Sequence, residues 1–182
     1  MTQAGRKRST LGRAVRAAAS LLDPRALLHP LRLIHYYNYT HVQPRRRLTL
    51  GVKVFIAPNV SFANGERIAL GDGVQVGARC MLWAGEETGR ITVGPNSTFG
   101  PDCLITASDY GTRAGTPVVE QPKIDRDVTI GTDVWLGAKV IVTAGVTIGD
   151  GTIVGAGSVV TRDLPPGVIA AGIPAKPVRD RD

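Results

Sequence analysis

Three side chains in or beside the longest interruption of this sequence could move a proton. Asp109 and Tyr110 lie in the stretch LITASDYGTRAG (104–115), and Glu120 lies in the segment GTRAGTPVVEQPKIDRD (111–127). Taking a proton from a hydroxyl near neutral pH is best done by a group that titrates there, and histidine is the side chain that does so unperturbed. The histidines here are His29, His35 and His41, all ahead of residue 42. A phenol of ordinary pKa near 10 is only about 0.1% ionised at pH 7, so Tyr110 is a weak base unless its surroundings change it. Asp109 or Glu120 would serve only if burial raised its pKa. A His-ligated metal site is excluded beyond residue 41, because no imidazole is available to build one.

A repeat must position these groups. From residue 50 onward an aliphatic or aromatic residue returns every six positions, often followed by Gly or Ala. The units read LGVKVF, IAPNVS, LGDGVQ, VGARCM, VGPNST, FGPDCL, IGTDVW, LGAKVI, VTAGVT, IGDGTI and VGAGSV. Three units make a coil of eighteen residues, which predicts three columns along a three-sided prism. The columns are Leu50, Leu70, Val93, Ile130 and Ile148; Ile56, Val76, Phe99, Leu136 and Val154; and Phe62, Leu82, Ile105, Val142 and Val160. Four residues after these anchors come mostly smaller side chains, such as Val54, Val60, Cys80, Ser97, Cys103 and Ser158, as a narrow interior requires.

A helical period of about 3.6 cannot keep a strict spacing of six, and Gly, Pro and Asp recur where helices tolerate them poorly. An antiparallel sandwich would show longer alternating strands joined by hairpin turns. The expected fold class is therefore an all-β solenoid of short parallel strands. NGER (64–67), GEETGR (85–90) and 111–127 interrupt the repeat without spoiling its register, so they lie outside the stack, and the last is long enough to carry function. Cys80 and Cys103 fall at one column position in successive coils, close enough for a bridge. Two cysteines are too few for a disulfide framework, so buried thiols in a reducing, cytoplasmic setting are expected.

Charge divides the chain. Residues 1–47 carry ten Lys or Arg against the single acid Asp23, whereas 48–182 carry twelve bases against fourteen acids, so the net +7 belongs to the N-terminal segment. A basic arm attracts nucleic acid, anionic lipid or anionic polymer, and composition does not choose among them. Arg16, Asp23, Arg25 and Arg32 interrupt every apolar stretch that might span a bilayer, and Arg13 and Arg16 spoil a signal-peptide core. The segment reads as one or two short helices: Leu11, Val15, Ala18 and Leu22 share a face opposite Arg13 and Arg16, and Asp23-Pro24 reads as an N-cap followed by Pro at the first helical position. Pro30 is expected to prevent one continuous helix. Such a segment would cap the open end of the prism, or dock on an anionic membrane. The organisation expected is a basic cap or arm over 1–47, a repeat prism over 48–165 with its external loop at 111–127, and a C-terminal tail over 166–182.

The stretch IGTDVWLGAKVIVTAGVTIGDGTIVGAGSVVTRDLPPGVIAAGIPAKPVR resembles the ending of the hexapeptide-repeat acyltransferases, left-handed parallel β-helix proteins. Within that family the likeness is to the galactoside, maltose and capsular-sugar O-acetyltransferases, and it covers residues 50 to about 180. The resemblance supplies the left-handed coil, which the spacing does not set. It implies a homotrimer, acetyl-CoA in the groove between neighbouring prisms, and a small-molecule or glycan acceptor rather than nucleic acid.

By position, the resemblance places Trp135 and Ala138 beside the pantetheine arm and lets the cofactor pass close to the backbone at Ala156 and Gly157. It places Thr161, Arg162 and Lys176 toward the phosphate-bearing end, where a cation is physically sensible. Trp135 could equally pack at a subunit contact, and Gly-Ala pairs suit tight turns without any ligand. The family's catalytic histidine ends the third unit of a coil, just before the long loop, and here Tyr110 falls on that position, with Asp109 beside it and Glu120 further along. Arg79 falls where some members carry an acceptor-side asparagine, although a turn arginine facing solvent is the commoner outcome. The implied activity is acetyl transfer from acetyl-CoA to a hydroxyl of a sugar or polysaccharide precursor, without a metal. Two alternatives remain: a trimeric scaffold or ligand-binding module that has lost its base, and N-acetylation of an amino sugar.

Overall fold

The computed structural model describes residues 10–182. Two compact units divide between Tyr39 and Thr40. The first holds helix α1 (Thr10–Leu21) and helix α2 (Pro24–Tyr37). Asp23 caps α2, its Oδ1 accepting the Arg25 N–H at 2.9 Å, and Pro24 occupies the first turn, where no intrahelical N–H is needed. The break between helices falls at Asp23 and not at Pro30, which lies inside α2. Proline there forgoes one helical hydrogen bond, to the Ala26 carbonyl, and Ala26 is exposed, so water can satisfy that oxygen.

The second unit is a parallel β-helix of about five coils, consistent with the left-handed coiling that the resemblance implies. Its three faces are built from two- and three-residue strands. On the first face the register runs Leu50, Leu70, Val93, Ile130, Ile148, with a bridge on to Leu164. The second runs Ile56, Val76, Phe99, Leu136, Val154 and then Ala170. The third runs Phe62, Leu82, Ile105, Val142, Val160. These are the columns that the spacing predicts, and except for Leu50, 45% exposed in the first coil, all are buried.

Each column residue packs under the next coil's equivalent, so the repeat itself builds the core. Burying one such aliphatic or aromatic side chain contributes roughly 1.5–3 kcal/mol. Two serines of the prism interior are hydrogen-bonded. Ser97 Oγ donates to the Gly131 carbonyl at 2.8 Å and accepts from the Val134 N–H at 3.0 Å, and Ser158 Oγ donates to the Gly155 carbonyl at 2.7 Å. Cys80 and Cys103 are buried free thiols donating to the carbonyls of Gly100 and Gly137 at 3.1 and 3.2 Å. The neighbouring sulfur and burial push the Cys103 thiol above its ordinary range. Beyond Leu164 the chain does not trail away: Val168–Gly172 joins the second face and turns back as Ala175–Asp180 in an antiparallel pair.

Candidate active site

Leu104–Thr106 is the middle strand of the third face, and after it the chain leaves the prism. Ser108–Tyr110 pairs antiparallel with Lys123–Asp125, so the segment 111–127 is rooted in a short ribbon that sets Tyr110 directly opposite Lys123 and Ser108 opposite Asp125. The Arg126 N–H rejoins the prism on the Ala107 carbonyl at 2.9 Å. Gln121 folds the loop in between. It is buried, accepting the Arg113 N–H at 2.8 Å and donating to the carbonyls of Arg113 and Thr116 at 3.0 and 2.9 Å.

Asp125 ties this ribbon to the second interruption. Its Oδ2 accepts the N–H groups of Glu87, Thr88 and Gly89 at 2.8, 3.0 and 3.4 Å. Burial works against the charge, but these donors outweigh it and hold the carboxyl well below the usual carboxylate range. The result is a cleft of ≈ 300 Å³ against the third face, lined among others by Trp83, Glu86, Thr106, Asp109, Tyr110 and Lys123. Trp83 and Tyr110, both about half exposed, line it.

Charge in the cleft is paired. The Lys123 ammonium bonds the Glu86 carboxylate and lies 5.5 Å from the centroid of the Tyr110 ring, within cation–π range. The Glu86 carboxylate and the nearby Tyr110 and Asp125 hold Lys123 above the ordinary lysine range. Arg126 Nη2 bonds Asp109 Oδ2 at 2.7 Å. The Asp109 side chain is 40% exposed and faces that guanidinium. Chemically, the site offers two aromatic residues, donors and acceptors for hydroxyls, and the ionisable side chains of Glu86, Asp109, Tyr110 and Lys123.

Other candidates fall elsewhere. Glu120 is exposed and lines a separate cavity of ≈ 350 Å³ within the loop. Arg79 sits in a left-handed turn (φ 58) and forms a bidentate pair with Asp102, both contacts 2.7 Å; it does not line the cleft. Lys123, Glu86 and Trp83 were missed by sequence reasoning. The signal was the antiparallel pairing across the loop, which a search for six-residue spacing passes over.

Of the residues that the resemblance places by the donor, Trp135 and Lys176 lie in strands, and Ala138, Ala156 and Gly157 lie in turns. Trp135, 54% exposed, stands on the second face between Thr98 and Ile153, and Ala138 lies in the following turn. That turn is stacked: the Gly157 N–H bonds the Ala138 carbonyl at 2.8 Å, and the Lys139 N–H bonds the Pro101 carbonyl at 2.9 Å. Successive coils put Arg79, Asp102, Lys139 and Gly157 at one turn position, with φ of 58, 61, 61 and 72. Three of the four carry long or charged side chains there, so the backbone does not demand glycine at 157. A Cβ on Gly157 would meet nothing within 4 Å. Ala156, Thr161, Arg162 and Lys176 are exposed as well.

Residues 127–162 match the bacterial transferase hexapeptide (six repeats) family. Over 176 residues the chain is 31% identical to the galactoside O-acetyltransferase of Escherichia coli (strain K12), spanning 87% of this chain and 82% of that protein. The chain belongs to the hexapeptide-repeat acyltransferases. Among solved members, a maltose O-acetyltransferase from Clostridium difficile 630 superposes with TM-score 0.69 at 26% identity, covering 83% of each chain. A galactoside acetyltransferase in complex with coenzyme A superposes with TM-score 0.68 at 27% identity, covering 85% of this chain and 80% of that one.

Proposed function

We propose that this hexapeptide-repeat protein transfers an acetyl group from acetyl-CoA to a hydroxyl of a sugar or polysaccharide precursor. The observation that carries this reading is the relationship to a galactoside O-acetyltransferase across nearly the whole chain. The residues fit the donor. Gly157 and Ala156 leave the backbone bare, Trp135 offers an exposed aromatic wall, and Thr161, Arg162 and Lys176 supply a hydroxyl and two cations for phosphates. Acetyl-CoA, when bound, supplies the acyl group as a thioester. A homotrimer in which a neighbouring prism completes the groove belongs to the same reading, as does a cytoplasmic setting, which the two buried free thiols suit.

The acceptor occupies the cleft at Tyr110. Trp83 and Tyr110 face the apolar side of a pyranose ring, and Glu86, Asp109 and Lys123 bond its hydroxyls. Asp109 and Tyr110 are the groups placed to take the hydroxyl proton, although neither is a histidine. General-base assistance is typically worth about 10²–10⁴-fold, whereas fixing two reactants in line supplies about 7–11 kcal/mol, so most of the acceleration survives a poor base. Arg79, committed to Asp102, and Glu120, in its own cavity, act at most on the outer parts of an extended acceptor.

The test is thiol release from acetyl-CoA across a panel of sugars, with Tyr110→Phe and Tyr110→His in parallel. Acceptor-dependent release, weakened in the Phe variant and strengthened in the His variant, is expected. A second reading, a scaffold that has lost its base, is favoured by the absence of any histidine beyond residue 41. It is established if CoA binds, no acceptor reacts, and Tyr110→His restores transfer. N-acetylation is distinguished by amino sugars in the same panel.

A further inference from the structure

The two helices ahead of the prism line neither the cleft at Tyr110 nor the cavity within the loop. In α2, Leu27, Leu31 and Ile34 follow i, i+4, i+7 spacing and form one stripe. Arg25, His29 and Arg32 follow the same spacing on a second stripe, set about 160° around the axis at 3.6 residues per turn. Leu27, Leu31 and Ile34 are 62%, 61% and 66% exposed, and α2 buries no side chain. In α1, Val15 lies about 160° around the axis from Arg13 and is exposed, and Leu22 follows at the turn.

Charge selects the occupant of this surface. The two helices carry no acid, and the single carboxylate near them, Asp23, is committed to capping α2. Arg13, Arg16, Arg25 and Arg32 are therefore uncompensated within the pair, and Arg6, Lys7 and Arg8 precede them in the sequence. Apolar stripes backed by arginine, with no acidic side chain to repel phosphate, complement an anionic lipid surface better than the mixed surface of a typical protein. Length sets the orientation. At about 1.5 Å per residue, helices of 12 and 14 residues reach only about 20 Å against a hydrocarbon core of about 30 Å, so they lie along a membrane and do not cross it.

We propose that α1 and α2 are an in-plane anchor for anionic bilayers, with Leu27, Leu31 and Ile34 entering the acyl boundary while Arg13, Arg16, Arg25 and Arg32 meet lipid phosphates. The anchor would hold the enzyme where lipid-linked or membrane-assembled acceptors are concentrated, yet it stands independently of the catalytic reading.

Flotation of the full chain with phosphatidylcholine vesicles, with and without phosphatidylglycerol, tests it. The chain is expected to float with the anionic vesicles alone and to be released by high salt. Replacing the four arginines by Gln is expected to weaken binding by on the order of a hundredfold or more. Replacing Leu27, Leu31 and Ile34 by Ser should abolish flotation at unchanged ionic strength. Unchanged oligomeric mass and CoA affinity in both variants would show that the prism is intact. The proposal is overturned if recovery is equal on neutral and anionic vesicles, or if neither variant alters it. It is also overturned if the Ser variant instead changes oligomeric mass or prism stability while flotation persists, since the stripe would then be a protein contact or a cap.

Discussion

Lys123 and Tyr110 face each other across the ribbon that roots the external loop, the ammonium 5.5 Å from the ring centroid and anchored on Glu86. The pair fixes the ring at the rim of the cleft and places a positive charge beside the phenol. Lys123→Met removes the charge while keeping most of the chain's length. It is expected to lower kcat/KM for the sugar by about 10-fold or more, roughly the value of one charge-assisted contact, while leaving CoA affinity unchanged. Steady-state kinetics beside calorimetry with CoA check this, and a parallel loss of CoA binding would show that Lys123 serves the donor instead.

The columns give a stability contrast between chemically similar side chains. Leu136 is fully buried mid-stack, with Phe99 in the coil before it and Val154 in the coil after, whereas Leu50 lies in the first coil and is 45% exposed. Leu136→Ala is expected to cost about 2–5 kcal/mol, since it removes apolar contact and leaves a cavity between coils. Leu50→Ala should cost less, about 1 kcal/mol, as nearly half of its surface stays in water. Urea unfolding of the two variants measures the difference. Equal losses would mean that Leu50 is covered in the assembled protein.

How much of this could be read in the sequence depends on the range of the contacts. All three columns follow from a six-residue period because each anchor packs on its counterpart one coil away, and the period encodes that contact. Turn positions were equally legible: Arg79 proved to be a turn residue paired to Asp102. What pairs across a loop was not legible. Tyr110 meets Lys123, and Asp125 meets Glu87 to Gly89, through an antiparallel ribbon whose register no repeat records. Proline rules misled at Pro30, because an exposed helix can lose one hydrogen bond to water and continue. Asp109 and Tyr110 were singled out by likeness to a family position, and their surroundings emerged only once the loop was folded.

Asp125 makes an acid-sensitive joint. Its carboxyl is held below the usual carboxylate range by three backbone donors, so the folded state binds its proton less readily than the unfolded chain does. The associated stability is present above the unfolded pKa of about 3.9 and is lost as pH falls below it toward the depressed folded value. Asp125→Ala should cost about 2–3 kcal/mol near neutral pH by stranding those N–H groups. Thermal melts of wild type and variant between pH 7 and pH 3 test the sign: the gap should narrow on acidification, and a constant gap would assign the loss to packing alone.

Gly157 separates the needs of the fold from those of the ligand. The same turn position holds Arg79, Asp102 and Lys139 in the preceding coils at nearly the same φ, so a side chain is compatible with this backbone. A Cβ at 157 meets open space. Gly157→Asn, a residue that tolerates the left-handed region, should therefore change stability by no more than about 1 kcal/mol. It should nevertheless weaken CoA binding by about 10-fold or more, because the added amide would occupy the strip proposed for the cofactor. Calorimetry and a thermal melt on the same sample decide the matter. Unchanged CoA affinity with unchanged Tm would move the donor groove away from Ala156 and Gly157, whereas a large fall in Tm would mean that the glycine serves the turn.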